Sequence, residues 1–282
     1  MEASASWATE ELQGIDLGDV RLDQRCEKLL STLSSQPKKS IPQACKGWAE
    51  TLAAYRFFNN ERVSPDKILL PHKKATLKRI QQEKVVLNVQ DTTEINFSHR
   101  SPIEGMGKLS RDFEQGFHLH PTLAITPNKV CLGVVHAKSW VREVLGQKAN
   151  RHQKKIEEKE SFRWIESYHV SNEIAKQCPN TFIVNVADRE GDIYELFLEK
   201  EKDEDNKAHW LVRASHDRRL LDPDTEELLD ERLFEKTRME PVHCEYSFTL
   251  PVKGSQKSRN GYSRIYQRRW RIDSRNGVLK HP

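Results

Sequence analysis

The chain has 282 residues, enough for one large domain with an appendage or for two domains, and it can bury a substantial core. Hydrophobic residues make up 36% and charged residues 31%, and no apolar run approaches the length of a bilayer-spanning helix, which argues against a membrane protein. The formal net charge is only +4, but residues 251–282 carry nine Lys or Arg against the single acid Asp273, while the preceding 250 residues are net −4. That basic stretch is interleaved with Tyr262, Tyr266 and Trp270, a composition suited to a phosphate backbone, with a solvated tail as the plainer alternative. The five cysteines (Cys26, Cys45, Cys131, Cys178, Cys244) are odd in number and contain no C-x-x-C pair, so reduced thiols in a cytoplasmic protein are expected. The start, Met1 to Trp7, lacks the basic region and apolar stretch of a signal peptide.

Residues 1–80 read as an all-helical region. Leu22, Cys26, Leu29, Leu30 and Leu33 recur at helical spacing behind Asp19, an expected N-cap, and Ser35-Gln36-Pro37 ends the run. A second helix is predicted from Cys45 to Phe58, stopped by Asn59-Asn60. Ser64-Pro65-Asp66 opens a third, because a capping serine followed by proline at the first helical position is a helix-entry signal. Its Lys67, Lys73, Lys74, Lys78 and Arg79 make one side basic.

From residue 85 the pattern turns to strands. They are predicted at 85–90, 117–126 and 130–140, the last two joined by Pro127-Asn128-Lys129 as a hairpin turn. A helix over 160–177, a strand over 182–187, a short helix over 191–199 and a strand over 209–214 follow. This order is the one expected of an α/β fold of ribonuclease-H-like type, a mixed sheet flanked by helices.

Two of the strands end on an acid: Val85 to Gln90 runs into Asp91-Thr92-Thr93, and Phe182 to Ala187 into Asp188-Arg189-Glu190-Gly191-Asp192. Carboxylates at the carboxyl ends of strands can hold hard cations, and two metal ions between them activate an attacking hydroxyl and stabilise a leaving oxygen in phosphodiester chemistry. Each acid also has a plainer reading, Asp91 as a turn former and Asp188 as an N-cap. A third acid is sought in the tail. Tyr266, Arg269, Asp273 and Lys280 fall at spacings of three, four and seven, so a continuous helix would set them on one face. Asp273 taken alone reads as a surface residue among arginines. His118 and His120 share a strand face and could chelate a transition metal, though no third ligand lies near them in sequence. Arg213, His216, Arg218 and Arg219 follow the last strand and are either phosphate contacts or solvated.

Several stretches together resemble the cut-and-paste DDE transposases of the IS-four family. They are Asp16-Leu17-Gly18-Asp19-Val20-Arg21-Leu22, Ala53-Ala54-Tyr55-Arg56-Phe57-Phe58-Asn59-Asn60, Gln90-Asp91-Thr92-Thr93 and His136-Ala137-Lys138-Ser139-Trp140. Glu158-Lys159-Glu160-Ser161, Ala187-Asp188-Arg189-Glu190 with Ile193, and Ile265-Tyr266-x-x-Arg269-Trp270-x-Ile272 continue the likeness, the last resembling the family's Tyr-Arg-Glu-Lys signature. The resemblance implies a helical transposon-end DNA-binding domain over 1–80 and a ribonuclease-H-like catalytic domain over 81–282. It makes Asp91, Asp188 and Asp273 the catalytic acids holding two Mg2+ ions, or Mn2+ in their place. Arg21, Arg25 and Arg56 become DNA ligands, with helix-surface ion pairs as the alternative for each, and Tyr266, Arg269 and Lys280 become phosphate contacts. The implied partners are double-stranded DNA, at transposon ends and targets, and a second copy in a homodimer. The implied activity is cleavage of transposon ends and strand transfer; the rival is a remnant that binds the ends without cutting. Against the family pattern, Asp273 stands where glutamate is expected. The space between 214 and Tyr266 is short and Pro282 comes early, so an internally deleted or truncated copy is expected.

Overall fold

A computed structural model describes residues 6–111, 113–142, 155–202, 205, 207–222, 225 and 227–250, and the backbone of 259–266, 271–273 and 278–280. The chain divides into two units, Met1–Ala187 with Lys207–Leu211 and Asp188–Asn206 with Val212–Pro282.

The first unit begins with five helices: α1 (Trp7–Glu11), α2 (Val20–Ser34), α3 (Ile41–Cys45), α4 (Trp48–Phe58) and α5 (Pro65–Ile80). Local chemistry sets their ends. The Asp19 side chain accepts from the Arg21 N–H to cap α2, and Ser64 accepts from Lys67 N–H to cap α5, with Pro65 at its first position. Leu12, Leu17, Cys26, Leu29, Ala54 and Phe57 form their buried apolar core, with Ile15, Leu22, Ile41, Val63 and Ile68 packed against it. Glu11 at the end of α1 anchors α5. It takes two hydrogen bonds from Arg79, at 2.7 and 2.9 Å, and one from His72 Nδ1. His72 Nε2 accepts in turn from Val134 N–H (2.8 Å), so α5 is tied to the sheet as well as to α1.

The sheet contains β1 (Val85–Gln90), β2 (Thr93–Asn96), β3 (Gly107–Lys108), β4 (Gln115–Ile125), β5 (Cys131–Trp140), β6 (Phe182–Ala187) and β7 (His209–Val212). Strand β4 is its organiser. Strand β5 pairs antiparallel along one edge, and β1 and β2 share the other. Strands β1 and β6 then run parallel, Val89 opposite Val186, and β7 lies beyond β6, giving a mixed sheet. Helix α6 (Phe162–Gln177) packs on it. The helix buries Arg163, Trp164, Ser167, Tyr168, Ser171 and Asn172, and the facing strands bury Asn88, Gln90, His118, His120, Thr122 and Asn185. The interior between sheet and helix thus carries many polar side chains, set among apolar ones such as Val86, Ile165, Ile174 and Ile183. Strand β1, read from sequence as an apolar buried strand, turns Asn88 and Gln90 inward beside Val86 and leaves Val85, Leu87 and Val89 half-buried.

The second unit contains α7 (Tyr194–Lys202), β8 (Arg219–Leu221), β9 (Leu228–Arg232), α8 (Leu233–Met239), β10 (Val242–Leu250), β11 (Arg259–Tyr266), β12 (Arg271–Asp273) and β13 (Val278–Lys280). Strands β10 and β11 pair antiparallel, and a separate sheet runs β12-β13-β8-β9. The expected continuous helix carrying Tyr266, Arg269, Asp273 and Lys280 is not formed. Tyr266 ends β11, Asp273 ends β12 opposite Val278, Lys280 ends β13, and Arg269 lies outside the described residues. The physical reason is a conflict of periods. The spacings of three, four and seven suit a helix, but the stretch is rich in Tyr, Ile, Trp and Val, and Asn276-Gly277 between β12 and β13 is a strong hairpin signal in sequence.

Candidate functional site

Asp91 is the first residue beyond β1 and is exposed. Its Oδ1 accepts the N–H of Thr92 at 2.8 Å; among the described residues no cation pairs with it, and Oδ2 has no hydrogen bond. The turn-forming alternative is thus realised in one oxygen, while the other has no partner among the described residues. Asp188 repeats the pattern. It is exposed, directly follows β6, and caps the 3-10 turn Arg189–Gly191 by accepting the Glu190 N–H through Oδ1 at 2.8 Å. No cation pairs with it either among the described residues. In the parallel register of β1 and β6, Val89 lies across from Val186, and each acid comes two residues after its member of that pair. Asp273 belongs to the other sheet.

Behind Asp91 the polar interior converges on Thr92. Its Oγ1 accepts from Arg163 Nε (2.9 Å) and meets His120 Nδ1 (2.9 Å). His120 Nε2 meets Gln90 Oε1 (2.9 Å), Gln90 Nε2 donates to Asn185 Oδ1 (2.6 Å), and Asn185 Nδ2 donates to Ser171 Oγ (3.0 Å). The Arg163 guanidinium lies 5.4 Å from the Trp140 ring and 5.5 Å from the Trp164 ring, and the residue is 8% exposed. Burial, reinforced by the nearby Arg163 charge, pushes the His120 imidazole down to about 3, so it is neutral at physiological pH. Both His120 nitrogens are therefore spoken for inside the protein, and His118 stacks on Trp140 at 5.2 Å. Burial thus gives His120 to hydrogen bonding and His118 to packing against Trp140. Among the described residues no three His, Cys, Asp or Glu side chains are grouped to hold a metal ion.

In the second unit the segment after Asp188 is fastened by Asp192, which is 2% exposed. Its Oδ2 accepts the backbone N–H groups of Ser215 (2.6 Å) and His216 (2.8 Å), and Oδ1 lies 2.6 Å from Arg218 Nη1. Burial is the largest single influence and raises the Asp192 carboxyl, but these donors together outweigh it and hold the group below its ordinary value. Arg218 also covers the Phe197 ring at 5.2 Å. Arg218 is thus structural, whereas Arg213 is exposed and, among the described residues, unpaired.

The helical segment divides the remaining candidates in the same way. Arg21 forks onto Asp19 (2.9 Å), which holds that half-buried carboxyl down at about 2. Arg25 reaches Glu50 at 2.6 Å, and Lys28 joins the same carboxylate at 2.7 Å. Arg56, on the last turn of α4, is exposed and has no ion-pair partner among the described residues.

Residues 4–63 match the family model for transposase DNA-binding. The match supports a transposase that binds DNA. The matched DNA-binding segment runs from the cap of α1 to the loop before α5 and contains Arg21, Arg25 and Arg56. Its partner is DNA. Among the described residues no helix is long and apolar enough to cross a membrane. Sequence reading missed Thr92, His120, Gln90, Asn185 and Arg163 as a connected set. The only sequence signal was polar residues at alternate positions of the strands, Asn88 with Gln90 and His118 with His120.

Proposed function

We propose that this chain is a DDE-type transposase resembling the IS-four family, a divalent-cation-dependent nuclease and strand-transferase acting on transposon-end DNA. One observation carries the reading. Asp91 and Asp188 extend the ends of two adjacent parallel strands at equivalent register, each with one carboxylate oxygen tied to a local backbone N–H and the other unengaged among the described residues. The sheet order β5-β4-β1-β6-β7, with β4 antiparallel to β1 and β6 parallel to it, supports a ribonuclease-H-like architecture for the 81–282 region.

Two unpaired carboxylates fit Mg2+ or Mn2+, since Mg2+ is usually bound by one or two carboxylates completed by substrate phosphates and water. Bound divalent cations supply the lowering of a water or 3′-hydroxyl pKa and the stabilisation of the leaving oxygen. The chain's own contribution is to fix the acids. The N–H of Thr92 holds Asp91, the N–H of Glu190 holds Asp188, and the Asp192 clasp holds the segment that carries Arg213. Arg56 and Arg213 are proposed as phosphate contacts because both are exposed and have no ion-pair partner among the described residues. Arg21 and Arg25 would have to exchange Asp19 and Glu50 for phosphate. Roles for Asp273, Tyr266, Arg269 and Lys280, and for a homodimer on DNA, belong to the same reading.

The second reading, a binder that no longer cuts, is favoured by one specific observation: the segment bearing Asp273 is a three-residue strand rather than a helix. A nicking assay separates them. The full chain is incubated with a duplex bearing the element's terminal sequence in Mg2+ or Mn2+, beside Asp188→Ala. Nicking that disappears in the variant is the expected result. A gel shift with no nicking in either metal leaves the binder.

A further inference from the structure

Protons along the interior chain have one consistent arrangement. Gln90 Oε1 can only accept, so the bond from His120 Nε2 must be donated by the ring. His120 is neutral, so the bare Nδ1 takes the Thr92 hydroxyl proton while Thr92 Oγ1 accepts from Arg163 Nε. Gln90 donates to Asn185, Asn185 to Ser171, and Ser171 Oγ to the Ser167 carbonyl at 2.9 Å. With the Gln90 amide oxygen facing His120, every bond from the guanidinium at one end to the carbonyl at the other points the same way. Adjacent dipoles in such a chain reinforce one another inside a low-dielectric core. The outer end of this chain is Thr92, whose N–H binds Asp91 Oδ1.

We propose that Arg163 and Thr92 are positioning residues for Asp91: the stacked guanidinium and the relay behind it lock Thr92, whose N–H sets the carboxylate's orientation toward a divalent cation. This rests on Asp91 being a cation ligand, as proposed above. Trp140 and Trp164 hold the guanidinium by stacking and cation–π attraction, a role lysine cannot fill because it lacks both the flat face and the Nε donor. Removing partners of metal-binding groups typically weakens metal affinity by about 10- to 100-fold, so the effect sought is of that size.

The test uses the full chain as wild type, Thr92→Val, Thr92→Ser and Arg163→Lys. Mn2+ binding is followed by the loss of the free-ion EPR signal, and melting temperature and end-DNA affinity are measured alongside. Thr92→Val keeps shape but loses the hydroxyl, and Arg163→Lys keeps charge but loses the fork. Both should weaken Mn2+ binding by about 10-fold or more, with end-DNA affinity unchanged and Thr92→Ser near wild type. The same shift should appear as a higher half-saturating Mn2+ in nicking. Independently, 15N NMR of labelled histidine should show His120 protonated at Nε2 and bare at Nδ1. Wild-type Mn2+ affinity in Thr92→Val, or His120 protonated at Nδ1, overturns the positioning role while leaving the proposed function intact. Failure of the wild type itself to bind Mn2+ overturns both.

Discussion

The first unit contains two interiors built on opposite chemistry. The helical one, around Leu12, Leu17, Leu29, Ala54 and Phe57, is apolar and tolerates small rearrangements, because burial is non-directional. The one between the sheet and α6 is threaded by Asn88, Gln90, His120, Thr122, Asn185, Ser167 and Ser171, where every hydrogen bond fixes a direction. Hydrogen bonds add little net stability when made and cost much when half-made, so a polar interior specifies geometry more than it stabilises. That interior lies directly behind Asp91. The contrast teaches that the helical segment is held by non-directional burial, whereas the interior that ends at Thr92 is held by directed polar contacts.

The largest effect should come from breaking the apolar side. Phe57→Ala removes a side chain that is 3% exposed and should cost about 3–5 kcal/mol, measured by urea unfolding. End-DNA binding should fall with the folded fraction, while the Mn2+ requirement of the remaining folded molecules stays unchanged. Breaking the polar side should look different. Asn185→Ala takes away the 2.6 Å acceptor of Gln90 and a donor to Ser171, and should cost about 1–3 kcal/mol in the same experiment. Here the half-saturating Mn2+ should rise even at temperatures where the variant is fully folded. Equal Mn2+ requirements in the two variants would erase the distinction.

Acid sharpens the comparison further. His120 has an ordinary value of 6.5 and is pushed down to about 3 in the folded chain, so between those limits the unfolded chain binds the extra proton. Stability from this group is complete above pH 6.5 and is lost progressively as pH falls toward 3. The slope of unfolding free energy between pH 6.5 and 4 should therefore be shallower in His120→Gln than in the wild type. The smallest effect is expected at the surface. Arg56→Ala should leave the melting temperature unmoved but weaken DNA binding and lower the salt dependence of the affinity by about one unit of log–log slope.

Helix caps were legible because they are local. Asp19 and Ser64-Pro65 announce α2 and α5 within a few residues, and both caps form as read. Strands β1, β4, β5 and β6 and helix α6 also appear close to their expected bounds. The tail was misread because charges at spacings of three, four and seven fit a helix as well as they fit separate short strands. What sequence hides is the inward face of β1. Asn88 and Gln90 look like interruptions of an apolar strand until Ser171, Asn185 and His120, remote in the chain, arrive as their partners. The two acids were legible as residues ending strands, but the threonine that orients one of them was not.

The most direct test of the central claim is a double-substitution cycle on cation binding, with Mn2+ titrated by calorimetry into wild type, Asp91→Asn, Asp188→Asn and the double variant. If the two carboxylates grip the same cations, each single change abolishes most of the binding and the double adds little. Additive losses, or a wild-type isotherm in either single variant, would place the two acids in unrelated roles and contradict the account.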